Sequence, residues 1–199
     1  MIIPFIKNIN FFELAKFMSL QKKSILPKEY KQVNYLESTD NEYIDPDLPL
    51  NSDNLSRCTI TFAYTELNND TWISGIFNTY YGYIAGAAPI NGEWYTASGT
   101  TYEPNIFAVN TIISAIFTYD NSYQSLYLFC RGAYASGVRG PASFAKGKIY
   151  HFSVDRNGVL IADMYPCIRK ADNKPGMYDI VRNTFYTNAN SDSSEFITG

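Results

Sequence analysis

Apolar and polar residues interleave along most of this chain with the period of a β-strand. From Lys148 to Asp155, Ile149, Tyr150, Phe152 and Val154 stand against Lys148, His151, Ser153 and Asp155. Such a pattern sets one face on a core and leaves the other to solvent or to another chain. Arg156-Asn157-Gly158 interrupts it, and Val159 to Pro166 runs back. Asn-Gly between two such runs is the strongest short-range hairpin signal, because a type I′ turn needs two residues that tolerate positive φ. Arg57 to Thr65 alternates most cleanly, with Cys58, Ile60, Phe62 and Tyr64 on one side and Thr59, Thr61 and Ala63 on the other. The same reading predicts strands over Tyr30 to Leu36, Glu42 to Asp45, Glu93 to Ser98 and Ser125 to Arg131. Thr71 to Phe77 and Tyr80 to Ala85 form a pair across Asn78-Thr79, and Ile106 to Tyr119 makes two strands or one bent around Asn110. Asp45-Pro46-Asp47-Leu48-Pro49 is a rigid connection, and Gly132 to Gly147, rich in glycine, reads as a long loop.

The end of the chain has short apolar runs: Gly176-Met177-Tyr178-Asp179, Asn183-Thr184-Phe185-Tyr186 and Glu195-Phe196-Ile197. These cannot build a layer of their own. They read as a tail paired with an existing sheet, returning to the first strands near Tyr35 and Tyr43. The start differs in kind. Residues 1–26 predict an extended arm and one amphipathic helix, capped by Asn10 with Glu13 at the capping-box spacing. Phe11, Leu14 and Met18 share one face, widened by Phe12 and Phe17, with Phe5 in the arm ahead. Three readings stay open for these residues: packing back on the rest of the chain, docking into a partner or a helix bundle of sister chains (a trimer favoured), or lying on a membrane surface. The expected domains are therefore 1–26 for docking or oligomerisation and 27–199 for the β-rich body. About ten to twelve short strands without a second helix imply an antiparallel sandwich or barrel.

Composition narrows the function classes. Aromatics are abundant, 17 Tyr, 13 Phe and 2 Trp, which suits half-buried sheet surfaces. A net charge of -3 gives no support for nucleic-acid binding, and the absence of an 18-residue apolar run predicts no membrane span. Cys58, Cys130 and Cys167 sit in strand-like surroundings without a C-x-x-C, so buried free thiols are expected. The apolar start is broken by Lys7, Asn8 and Asn10, so no secretory signal is expected.

Several of these segments together resemble a known family. Tyr35-Leu36-Glu37-Ser38-Thr39 with Glu42-Tyr43-Ile44-Asp45, then Ile73-Ser74-Gly75-Ile76-Phe77 and Leu126-Tyr127-Leu128-Phe129, carry part of the resemblance. The ending carries more: Gly147-Lys148-Ile149-Tyr150, Asn157-Gly158-Val159-Leu160, Pro166-Cys167, Gly176 to Asp179 and Glu195 to Ile197. Over residues 28–199 the chain resembles the concanavalin A-like (laminin-G-like) jelly-roll domains of tailed-bacteriophage structural and fibre proteins. One turn departs from that pattern, with Thr39-Asp40-Asn41 where Thr-Gly is common. The resemblance implies an antiparallel jelly-roll β-sandwich, a virion location and partners among capsid, portal, tail or fibre proteins. It leaves function open, because this fold hosts lectins, glycanases and plain scaffolds.

The residues weigh against catalysis. Retaining glycanases need two carboxylates about 5.5 Å apart, and no E-x-D-x-E run occurs. His151 is the only histidine and holds a polar strand position, no G-x-S-x-G accompanies it, and no P-loop or metal spacing is present. Asp45, Asp47, Asp53 and Asn54 are oxygen-rich but read as turn residues, so no metal and no cofactor is expected. Sugar binding has a better candidate: Tyr80, Tyr81, Tyr83, Trp94, Tyr95 and Tyr102, with Asn91, bring stacking faces and amide donors into one segment. The competing reading is that these aromatics fill a sheet or a subunit contact. The expectation is a non-enzymatic virion protein with a lectin-like domain, trimeric, binding host or mucus glycans. Its alternative is a soluble cellular carbohydrate-binding protein.

Overall fold

A computed structural model describes residues 24–48, 56–68, 71–78, 83–90, 93–98, 101–105, 108–119, 126–135 and 138–199. All of its regular elements are strands. In chain order they are β1 (Tyr30–Gln32), β2 (Leu36–Ser38), β3 (Ser56–Tyr64), β4 (Ser74–Asn78), β5 (Tyr83–Ile90), β6 (Glu93–Ser98), β7 (Thr101–Asn105) and β8 (Ile113–Tyr119), followed by β9 (Tyr127–Leu128), β10 (Arg131–Ala135), β11 (Val138–Ala142), β12 (Gly147–Arg156), β13 (Val159–Arg169), β14 (Lys174–Asp179), β15 (Thr184–Tyr186) and β16 (Ile197–Thr198). They form a nine-stranded and a seven-stranded sheet. One buried cluster draws on both, with Leu36, Ile60, Phe62, Phe117, Phe152 and Met164 from the first and Ile73, Ala87 and Leu128 from the second. The chain is all-β among the described residues.

The spine of the nine-stranded sheet is the β12–β13 hairpin. Asn157 (φ 54) and Gly158 (φ 79) occupy the two positive-φ positions, and the Gly158 amide donates to Oδ1 of Asp155 at 2.9 Å. Beyond Phe152 and Met164 the two strands part. The free stretch of β12 takes β2 as partner (Gly147↔Ser38, Ile149↔Leu36), and that of β13 takes β1 (Gln32↔Cys167, Tyr30↔Arg169). The chain crosses from one arm of this fork to the other through Val33, whose amide donates to Pro166 O at 3.1 Å. The strand expected over 30–36 is therefore two strands with different partners. β16 then pairs with β2 (Ile197↔Glu37), and Gly199 O accepts from the amides of Asn34 (2.5 Å) and Tyr35 (3.2 Å). The expected return of the tail to Tyr35 and Tyr43 is observed, and at Tyr43 the amide of Ala189 donates to the backbone oxygen at 2.9 Å. β14 and β15 add to the outside of β13; at Gly176 a Cβ would lie 2.2 Å from Tyr186 O, so this register requires glycine. On the other side, β3 pairs with β12, and β8 with β3.

The seven-stranded sheet runs β11-β10-β4-β5-β6-β7 with β9 beside β4. Three features differ from the sequence expectation. Residues 126–130 are all buried as expected, but the strand breaks at Phe129, whose φ of 67 turns the chain between β9 and β10. The expected loop from Gly132 to Gly147 contains a hairpin, β10–β11, with Ala135↔Val138 at its tip. The expected purely antiparallel order does not hold throughout, since β10 runs parallel to β4 (Arg131↔Gly75) and Trp72 makes a parallel bridge to Phe144. Small residues made the β10–β11 hairpin look like a loop, because Gly, Ala, Ser and Pro carry almost no strand propensity. Glu42 to Asp45 is not a strand but a single bridge, Ile44↔Leu128. The bend at Asn110 is present, with φ 63, and separates β7 from β8.

Tyr64 ties the two sheets together. Its ring is buried at the end of β3; its hydroxyl donates to the backbone oxygens of Thr71 (3.1 Å) and Ala87 (3.2 Å) and accepts from the Ile73 amide at 2.8 Å. Burial pushes its pKa up well above the ordinary value, so it stays a neutral donor.

Candidate functional site

The residues proposed for sugar binding are only partly placed. Tyr80, Tyr81 and Asn91 lie outside the described residues. Tyr83, Trp94, Tyr95 and Tyr102 are located by backbone register, at Asn78↔Tyr83, Pro89↔Trp94, Ala88↔Tyr95 and Ala97↔Tyr102. The last three belong to the β6–β7 hairpin at the rim of the seven-stranded sheet. The docking residues Phe5, Phe11, Phe12, Leu14, Phe17 and Met18, with the helix expected there, also lie outside the described residues. The described residues begin at Ser24, and Leu26 just beyond it is buried against Cys167 and Tyr178 on the outer face of the nine-stranded sheet.

That outer face carries a row of side chains running across five strands. Ser114 on β8 pairs with Thr61 on β3, and their hydroxyls are 2.9 Å apart. Thr61 pairs with His151 on β12. The imidazole packs on the ring of Tyr165 on β13, with centroids 4.7 Å apart. Tyr165 pairs with Tyr178 on β14, which is covered in turn by Tyr30, with centroids 4.5 Å apart. The row thus grades from an exposed hydroxyl, through half-buried imidazole and phenol, to a buried aromatic.

His151 is the natural place to look for chemistry. Its Nε2 lies 2.5 Å from Oδ1 of Asp163, whose other oxygen accepts from the Tyr165 hydroxyl at 3.3 Å. Burial, then the Asp163 charge, pushes the Tyr165 pKa up and keeps this hydroxyl a donor. Asp163 is itself bound into the backbone: its amide donates to Oδ1 of Asp179 at 3.1 Å and its carbonyl accepts from the Ile180 amide at 2.9 Å. Among the described residues the dyad has an orienting carboxylate, Asp163, and no hydroxyl or thiol hydrogen-bonded to the imidazole for it to activate. The cysteines offer none either, since burial raises all three thiols, Cys167 to about 12, and only a thiolate reacts.

The sequence reading missed two carboxylates that hold the fold. Glu42 is fully buried. Its Oε2 accepts from the Ser38 hydroxyl (2.9 Å) and the amides of Thr39 (3.0 Å) and Asp40 (2.8 Å), and its Oε1 accepts from the Ser194 hydroxyl. Burial alone would raise its pKa, but these donors outweigh it and leave the carboxyl below its usual range. Around it the Asn- and Ser-rich residues 188–194 are strapped to residues 41–43: Asn188 Oδ1 accepts from the Tyr43 amide at 3.3 Å, and the Asn190 side-chain amide donates to Asn41 O at 3.1 Å. Asp179, also fully buried, accepts from the amides of Val181 (2.9 Å) and Arg182 (3.2 Å) and from Nε of Arg182 at 2.5 Å. Both were legible only as acidic residues near turns, because their donors come mostly from backbone amides.

A shallow groove of about 420 Å³ opens at the fork, between the β13–β14 turn and the C-terminal strand. Ile168, Pro175 and Phe196 line it with apolar surface; Asn173, Lys174, Glu195 and Thr198 supply polar groups. Asp172 beside it is held down to about 2 by the Arg169 guanidinium. Asp45 and Asp47, weighed as cation ligands, make a turn in which Oδ1 of Asp45 accepts from the Asp47 amide at 2.9 Å; Asp53 and Asn54 lie outside the described residues. No group of three or more metal-ligating side chains is found among the described residues. No protein-family model, curated protein or solved structure matches the chain.

Proposed function

We propose that this chain is a non-catalytic β-sandwich of jelly-roll type, displayed as a structural or adhesive component of a tailed-bacteriophage particle. The observation that carries the reading is how the buried acidic groups are used. Glu42 and Asp179 spend their oxygens on backbone amides and neighbouring side chains that close loops and chain ends. Asp163 is shared between His151 and Tyr165. These groups serve a rigid scaffold rather than proton transfer. The segments Tyr35 to Asp45 and Gly147 to Ile197, which carry the resemblance to phage jelly-roll domains, meet in the fork of the nine-stranded sheet. That meeting supports the family reading and gives a module whose ends are locked together.

Within this reading the module attaches through residues 1–26, as a trimer docked on capsid, tail or fibre proteins, and presents aromatic and amide groups to surface or mucus glycans. Flat aromatic rings stack on the apolar faces of sugars, and the β6–β7 hairpin that carries Trp94, Tyr95 and Tyr102 ends the strand order of its sheet. Two experiments test the proposal. Mass spectrometry of purified particles should find the chain in stoichiometric amount; its absence from every particle refutes the virion role. A glycan array probed with the full chain and with Trp94→Ala should show binding that the variant loses. Binding by neither protein leaves a scaffold without a ligand.

A further inference from the structure

Where β12 and β13 part, the arms of the fork leave the groove between them, and every residue that lines it is among those described. Its volume of about 420 Å³ falls within the range of small-ligand sites, roughly 300–1,000 Å³. Its walls are fixed. Ile168 on β13 and Pro175 on β14 are register partners and stand side by side. Phe196, on the opposite wall, is buried and packs on Phe129 of the core, with ring centroids 5.1 Å apart. Asp172 holds the β13–β14 turn: its carboxylate accepts from Nε (3.0 Å) and Nη2 (2.6 Å) of Arg169 and from the Lys174 amide (3.3 Å). Asn173 takes the positive-φ position of that turn, at φ 58, which asparagine tolerates.

The polar groups at the rim differ from the carboxylates that hold the fold. Glu42, Asp163 and Asp179 are engaged by internal donors. Among the described residues the side chains of Asn173 and Thr198 make no hydrogen bond. Lys174 Nζ and Glu195 Oε1 face each other at 3.9 Å, too far apart for one. An amide, a hydroxyl, an ammonium and a carboxylate thus converge around an apolar floor. Their charges cancel, because Lys174 offsets Glu195 and Arg169 offsets Asp172. Such a rim favours neither an anion nor a cation. It suits a neutral ligand with an apolar face and adjacent hydroxyls, since one hydroxyl can accept from Lys174 while its neighbour donates to Glu195. We propose that this groove binds one neutral pyranose ring of a glycan. The C–H face of the sugar lies over Ile168 and Pro175, and its hydroxyls meet Asn173, Lys174, Glu195 and Thr198. The inference rests on the glycan reading above and adds a sugar subsite on the other sheet from the β6–β7 hairpin.

The test is a titration of the isotope-labelled full chain, followed through its amide signals by nuclear magnetic resonance. The probes are the methyl glycosides of glucose, galactose and mannose, and N-acetylglucosamine, with glucuronate and glucosamine as charged controls. The expected result is a saturable shift at residues 172–175 and 195–198 with at least one neutral sugar, retained in Trp94→Ala. Asn173→Gly combined with Lys174→Ala should weaken that binding about tenfold. Glycine suits the positive φ and position 174 is exposed, so this variant should keep the wild-type circular dichroism. Shifts confined to residues 93–105 assign the sugar to the β6–β7 hairpin, which overturns the groove and leaves the glycan reading standing. A stronger response to glucuronate or glucosamine overturns the neutral ligand. No saturable shift with any of these sugars overturns the subsite, whatever the glycan array shows.

Discussion

The two sheets are held by different means. In the nine-stranded sheet, β12 to β15 are successive neighbours, but strands from the other end of the chain join them: β2 lies between β12 and β16, and β1 beside β13. Its closure uses buried carboxylates as fasteners, with Glu42 gathering donors from residues 38–40 and from Ser194. In the seven-stranded sheet, β4, β5, β6 and β7 are successive neighbours, and β10–β11 is a second local hairpin joined through the parallel β4–β10 pair. Local hairpins close short loops at small entropic cost, whereas pairing distant segments carries a larger loop-closure penalty. The first sheet therefore depends on a few long-range ties, while the second is assembled piece by piece and anchored to the first at Tyr64.

This contrast can be broken most directly at Glu42. Glu42→Ala removes a buried carboxylate that accepts from two hydroxyls and two amides, of which the Ser38 hydroxyl keeps the Glu42 backbone oxygen, so a loss of about 3 kcal/mol is expected. For a chain of this size that lowers the thermal midpoint by roughly 10 °C, measured by circular dichroism. An unchanged midpoint would show that the strap at 188–194 does not fasten the sheet. Next comes the anchor between sheets. Tyr64→Phe keeps the ring but removes the hydroxyl that links Thr71, Ile73 and Ala87; the Ile73 amide keeps only its longer bond to Ala87 O (3.2 Å), and the expected cost is about 1 kcal/mol. Its effect should add to that of Glu42→Ala if the two ties are independent.

A smaller effect follows from pH. The Glu42 carboxyl titrates below its unfolded value. Its contribution is therefore fully present above the ordinary glutamate pKa and is lost as pH falls through the lower, folded value. Urea midpoints measured downward from neutral pH should decline over this acid window, and Glu42→Gln should flatten that part of the decline. An identical decline in the variant would assign the acid loss to other carboxylates.

The same contrast explains what could be read from the sequence. The β12–β13 hairpin was legible because apolar spacing and Asn157-Gly158 each encode it locally. β3 was legible for the same reason, and so was the return of residues 195–197 to the start of the chain. The fork was not, because nothing in Tyr30 to Leu36 marks the point where the chain changes partner. The β10–β11 hairpin was hidden by Gly, Ala and Pro, which pair through their backbone without a strand-like side-chain pattern. The break at Phe129 was hidden by a run of large apolar residues that continues through it. Of the candidate chemistry, His151 was visible as the single histidine, but its tie to Asp163 depends on cross-strand register. The fastening role of Glu42 was invisible because residues 39–40 contribute amides rather than side chains.

Amide hydrogen exchange on the full chain tests the closure of the nine-stranded sheet most directly. The amides of Asn34 and Tyr35, which donate to Gly199 O, should open with the same free energy as those of Phe152 and Val154 in β12, and Glu42→Ala should lower all four together. If Asn34 and Tyr35 instead exchange like frayed ends while β12 stays protected, the ends do not close the sheet and the account is wrong.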